Sequence, residues 1–144
     1  MIYEYKENFD EIARFESSLE GPVDIINNNS LRVKCVRFAS YEDHPLSKEK
    51  PGIIENCEIF FIFNNVYSSE KIIRPYRQNA PFERPIWYPD MEIRDITPTG
   101  PKPPRINEYD LSEFNYGNPC EDVVSSFVMK WKILAESFVL SIDM

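Results

Sequence analysis

The chain reads as a mainly β protein, an antiparallel β-sandwich-like single domain with one helix near its N-terminus. Three stretches carry that reading. Ile53 to Tyr76 holds the unbroken run Ile59-Phe60-Phe61-Ile62-Phe63, then Val66-Tyr67, then Ile72, Ile73 and Tyr76. Leu31, Val33 and Cys35 alternate with Arg32, Lys34 and Val36. Phe127, Met129, Trp131 and Ile133 alternate with Val128, Lys130, Lys132 and Leu134. Runs of β-branched and aromatic residues at a period of two fit strands better than helices. At 144 residues, with 42% hydrophobic and 28% charged residues, the chain is long enough to bury a core as one domain.

Taken in order, residues 7–20 place Phe9, Ile12, Ala13, Glu16 and Leu19 at helical spacing, and Gly21-Pro22 is a stop. Ile12 to Glu16 also fits a short edge strand. Val23 to Ile26 predicts a strand and Asn27 to Ser30 a turn, because Asn tolerates left-handed backbone angles. Leu31 to Phe38 predicts a half-exposed antiparallel strand with a basic outer face. Tyr41 to Gly52 is a loop that holds the single histidine, His44.

Ile53 to Tyr76 predicts a central β-hairpin buried on both faces, with Ser68-Ser69-Glu70 as its connection. Pro75 to Pro104 contains eight of the twelve prolines. Proline cannot donate to a ladder, so this region predicts coil or sheet edge, with Ile86 to Tyr88 and Met91 to Ile96 pairing at most at an edge. Near the C-terminus, Asn118-Pro119-Cys120-Glu121 resembles a helix start, which leaves an α+β alternative with a C-terminal helix over 119–142. A helix would put Met129 and Ile133 on its polar face. Strands misplace only Val128 and Leu134, so two strands joined by a tight turn at Ala135-Glu136-Ser137 are expected.

The net charge of −8 argues against nucleic acid or an anionic membrane as partner. The excess is uneven. Residues 1–22 carry six acids against two bases, residues 90–122 eight against three, and the rest is balanced to within one charge. Cys35, Cys57 and Cys120 are odd in number and widely spaced, which fits neither a zinc framework nor a disulfide scaffold. No signal-peptide pattern opens the sequence and no apolar run approaches membrane-spanning length, so a cytoplasmic protein with reduced thiols is expected.

Catalytic signals are few. The sequence contains no nucleophile elbow, Walker loop, HExxH or dinucleotide fingerprint, and four glycines leave little for phosphate cradles. His44 beside Asp43 lacks a positioned partner, since neighbours in an extended loop point apart. Cys120 has Glu121 and Asp122 beside it, and these oppose a thiolate. Carboxylate pairs such as Asp90/Glu92 and Glu108/Asp110 could serve a hydrolase or a divalent metal. Among 24 acids, however, close pairs arise by chance. The expectation is no catalytic, cofactor or metal residue.

The segment from His44 to Tyr76, HPLSKEKPGIIENCEIFFIFNNVYSSEKIIRPY, together with KWKILAESFVLSI from Lys130 to Ile142, resembles small acidic bacterial immunity proteins of polymorphic and contact-dependent toxin systems. The resemblance covers about a third of the chain and rests on structural motifs. It implies a non-enzymatic inhibitor that binds a cognate toxin domain, often a nuclease. Charge points the same way, to a basic protein partner met by Trp87, Tyr88, Asp90, Glu92, Asp95, Glu108, Asp110 and Glu113 around the proline-rich loop. Two other classes stand beside it: a carboxylate enzyme or metal-binding β-domain, and an oligomeric structural subunit.

Overall fold

In the computed structural model, residues 2–7, 9–12, 15–27, 29–40, 52–54, 58–78, 83–112, 115–116 and 126–143 are described. The protein is mainly β. Two long strands form its spine, β5 (Glu58–Arg77) and β10 (Ser126–Asp143), paired antiparallel along nearly their whole length. The other strands are β1 (Ile2–Tyr5), β2 (Phe15–Ile26), β3 (Ser30–Ser40), β4 (Gly52–Ile54), β6 (Ile86–Trp87), β7 (Met91–Ile96), β8 (Asn107–Asp110) and β9 (Asn115–Tyr116). The described strands belong to one connected sheet with the main path β1-β10-β5-β3-β2-β9. All its pairings are antiparallel except β2 with β9.

The expected hairpin within Ile53 to Tyr76 is not there. Ser68-Ser69-Glu70 runs straight through β5, and the expected turn at Ala135-Glu136-Ser137 likewise runs through β10. Both polar interruptions lie at the same irregularity of the spine. Leu134 faces Ser68 but Ala135 faces Val66, so Tyr67 is an extra residue on β5. Two residues earlier Asn65 takes the left-handed conformation, with φ 50°. Its side chain ties β5 to β10 and to the turn that leads into β3. Asn29 Nδ2 donates to Asn65 Oδ1 at 3.1 Å, and Asn65 Nδ2 donates to Glu136 Oε2 at 2.8 Å. The backbone N–H of Val66 donates to Asn29 O at 2.8 Å.

This irregularity divides the sheet into two arms. On one side β5 pairs with β3 through Ile59 to Phe63, and β10 pairs with β1. On the other side β5 pairs with β7 and β6, and β10 pairs with β8. Inward positions run Ile59, Phe61, Phe63, Val66, Ser69, Lys71, Ile73 on β5 and Met129, Trp131, Ile133, Ala135, Phe138, Leu140, Ile142 on β10. The two phase changes along β5 restore the original parity, which keeps both arms facing one core. Phe60 and Ile62 are only half-covered, so β5 is not buried on both faces as expected; the Arg32 guanidinium lies 4.8 Å over the Phe60 ring.

The N-terminal helix over residues 7–20 is also corrected. One helical turn, α1 (Phe9–Ile12), precedes β2, which takes in the last six residues of the supposed helix. That turn places Phe9 against Phe61, Phe63, Tyr109 and Phe138, with ring centroids 5.0 to 6.2 Å apart. Such an aromatic cluster favours edge-on contacts, and these rings adopt them. The strand of residues 23–26, the Asn27-centred turn (φ 53°) and the inward set Leu31, Val33 and Cys35 are as the pattern predicts. His44, Cys57, Cys120, Glu113 and the supposed helix start at 118–121 lie outside the described residues.

Candidate interaction surface

The second arm presents an outer face built from alternate residues of β8, β10, β5 and β7. Cross-strand neighbours there form a row of alternating charge. Asp110 is opposite Lys132, Lys132 opposite Glu70, and Glu70 opposite Arg94. Lys132 reaches Glu108 at 3.2 Å, and Arg94 lies 3.8 Å from Glu92 on its own strand. Pairs as exposed as these contribute about 0–1 kcal/mol each. Their main effect is to neutralise the face locally.

Beyond this row the face turns apolar. Trp87 on β6 is half exposed and lies against Tyr76 of β5, with ring centroids 5.1 Å apart. The Arg74 guanidinium covers the Trp87 ring at 5.4 Å and bonds Asp90 Oδ1 through Nε at 3.2 Å. Val128 of β10 stands opposite Arg74 and is 46% exposed, while Ile86, opposite Arg77, is 56% exposed on the other side of the edge strand. Local sequence explains the placement. Pro85 and Pro89 bracket Ile86-Trp87-Tyr88 and limit pairing to a two-residue edge strand, fastened by the Tyr88 N–H donating to Pro75 O at 3.0 Å.

The residues expected at this surface divide into groups. Trp87, Asp90 and Glu92 come together on the outer face with Arg74 and Arg94. Tyr88 is half-buried behind them. Glu108 and Asp110 sit on the far edge strand β8, across β10 and β5 from β7. Asp110 accepts bonds from the backbone N–H and the hydroxyl of Ser112. Asp95 points the other way, into the core. Glu113 lies outside the described residues. Arg74, Tyr76 and Val128 are not among the residues expected at this surface, because a hairpin buried on both faces hides the outer side of the strand that carries Arg74 and Tyr76. A continuous β5 would have shown that Arg74 and Tyr76 share its outer parity.

Asp95 belongs to a buried polar cluster that sequence reasoning missed. It is the extra residue of a bulge in β7: Ser69 pairs with Ile96, but Glu70 pairs with Arg94. That bulge turns its carboxylate inward, where Ser69 Oγ donates to Oδ2 at 3.0 Å and Lys71 Nζ donates to Oδ1 at 3.3 Å. Trp131 Nε1 donates to Ser69 Oγ at 3.0 Å, and the Lys71 ammonium lies 4.4 Å over the Trp131 ring. The Lys71 and Asp95 side chains are 2% and 9% exposed. Burial pulls the Lys71 pKa below its ordinary value, and the charge and hydrogen bond of Asp95 oppose that shift.

A third feature is an open cleft of about 580 Å³ lined by Lys6, Glu7, Asp10, Asn107 and the edges of Phe9 and Tyr109. Burial raises the Tyr109 pKa, partly offset by a hydrogen bond to Asn107. Among the described residues, no group of three or more His, Cys, Asp or Glu could hold a metal ion. None of the described helices is long and apolar enough to cross a membrane.

Comparison with protein-family models, curated proteins and solved structures finds no match. The surface is therefore read from its own geometry.

Proposed function

We propose that the chain is a non-enzymatic binding domain of the immunity-protein kind, which captures a basic protein partner through the outer face around Trp87. The observation that carries this reading is the half-exposed Trp87, held by Tyr76 and Arg74 on the same face as exposed Val128. A large ring fixed in place and left open to solvent has the features of an interface anchor. Ion pairs around it supply a polar rim, and the net charge of −8 favours approach by a basic surface. On this reading the protein works in the cytoplasm and its partner is a toxin domain.

The test is surface-based binding kinetics against the product of the neighbouring reading frame. Trp87→Ala should speed dissociation and cost about 2 kcal/mol or more of affinity. Its melting temperature should change little, because the ring is half exposed. An unchanged dissociation rate in a folded Trp87→Ala variant places the contact elsewhere. His44→Ala should leave binding and protection intact. A folded His44→Ala variant that binds but no longer protects would make the protein an enzyme.

A further inference from the structure

The geometry points to a role for the buried Asp95–Lys71 pair beyond stability: it pins the register of the edge strand β7 and, through it, positions the face that carries Trp87. β6 and β7 follow one another along the same edge of β5, from Arg77 back to Ser69. β6 pairs through two residues, and Pro89 interrupts the ladder between the strands. On the outer side of this edge the cross-strand side-chain contacts are the exposed ion pair of Arg74 with Asp90 and the packing of Trp87 on Tyr76 and Arg74.

A one-residue slip of β7 would exchange its faces, placing Glu92 and Arg94 inward and Met91 and Ile93 outward. Side-chain alternation alone resists such a slip weakly, because Met91 is already 38% exposed and Ile93 only half-buried. Asp95 resists it strongly. Its two oxygens meet Ser69 and Lys71 together only when it occupies the bulge. In any slipped register both Lys71 and the carboxylate would lose these bonds, and the ammonium would remain buried without its counter-charge. Buried pairs are often no more stabilising than apolar replacements, and fixing register is their best-attested use. The register claim stands on the free protein, whereas its consequence for Trp87 rests on the binding reading above.

The experiment compares amide hydrogen exchange, residue by residue, in the wild type, in Asp95→Asn, and in a double variant with Lys71→Met and Asp95→Leu. The double variant should keep a melting temperature near that of the wild type. Its β7 amides should exchange at least about 10-fold faster, while those of β3 and of the first half of β5 keep their protection. Asp95→Asn should show the same selective loss, since its amide keeps a bond to Ser69 but not the charge. With 5-fluorotryptophan, the Trp87 fluorine line should broaden or split in both variants. Wild-type protection in β7 with an unaltered Trp87 line would overturn the proposal. So would a uniform loss of protection, or outright unfolding, because a register pin leaves the rest of the sheet standing. Selective β7 exchange alongside unchanged partner kinetics would retain the pin and reject the Trp87 surface, so the two proposals fail separately.

Discussion

Phe61 and Lys71 both lie on the inward side of β5, and each is legible in a different way. Phe61 is fully buried and touches Phe9 and Phe63, as a central apolar run leads one to expect. Phe61→Ala should cost about 3–5 kcal/mol, read by denaturant unfolding. A loss below about 1 kcal/mol would mean that the ring packs loosely. Lys71 was hidden because the polar triplet before it reads as a turn, and a lysine just after a turn reads as exposed. Its burial has a pH consequence. The folded state lowers its pKa below the ordinary 10.5, so over a window that ends near that value the unfolded chain binds a proton the folded one lacks. Stability therefore rises with pH across that window. Tyr109 acts in the opposite sense. Its pKa is raised above 10.0, so the folded state holds the proton longer and stability falls as pH climbs past that value. Thermal melts from about pH 8 to about pH 11 should show the rise flattened by Lys71→Met and the fall flattened by Tyr109→Phe.

At the scale of elements, strand phase was legible and continuity was not. The alternation of Met129, Trp131, Ile133 and of Phe138, Leu140, Ile142 places every one of these side chains inward. What composition cannot distinguish is a turn from a bulge, since both use short polar segments such as Ser68-Ser69 and Glu136-Ser137. The structure uses them to change phase within two strands of 20 and 18 residues. Helical spacing over residues 7–20 misled for a related reason. Phe9 and Leu19 are both buried, but from a single helical turn and from a strand with an irregular register. Asn65 suits the irregularity of the spine. Its left-handed backbone suits Asn and strains a β-branched residue, and its side chain bonds Asn29 and Glu136. Asn65→Val should destabilise by about 1–3 kcal/mol. Asn65→Gly should recover part of that loss, because it relieves the backbone without restoring the side-chain bonds. Equal stability of the two variants in urea unfolding would show that backbone strain at this position is negligible.

At the scale of the whole molecule, the described acids of the two acidic segments lie on separate surfaces. Around Trp87 the acids Asp90 and Glu92 are matched by Arg74 and Arg94. Glu7 and Asp10 line the cleft beside Asn107, which pairs with Ala135. From there to Ser126, opposite Tyr76 and its partner Trp87, β10 runs nine residues, about 30 Å of strand at roughly 3.3 Å per residue. That separation allows a test of where the partner docks. The screening length is about 30 Å at 0.01 M salt and about 8 Å at 0.15 M. If the partner docks at Trp87, reversing Glu7 and Asp10 to lysine should slow association at the lower salt and have no effect at the higher. Reversing Asp90 and Glu92 should slow it at both, because those charges lie at the contact itself. Stopped-flow association rates at the two salt concentrations, on variants with native melting curves, provide the measurement. The opposite pattern, with only Glu7 and Asp10 mattering at 0.15 M, would move the docking site from the Trp87 face to the N-terminal cleft.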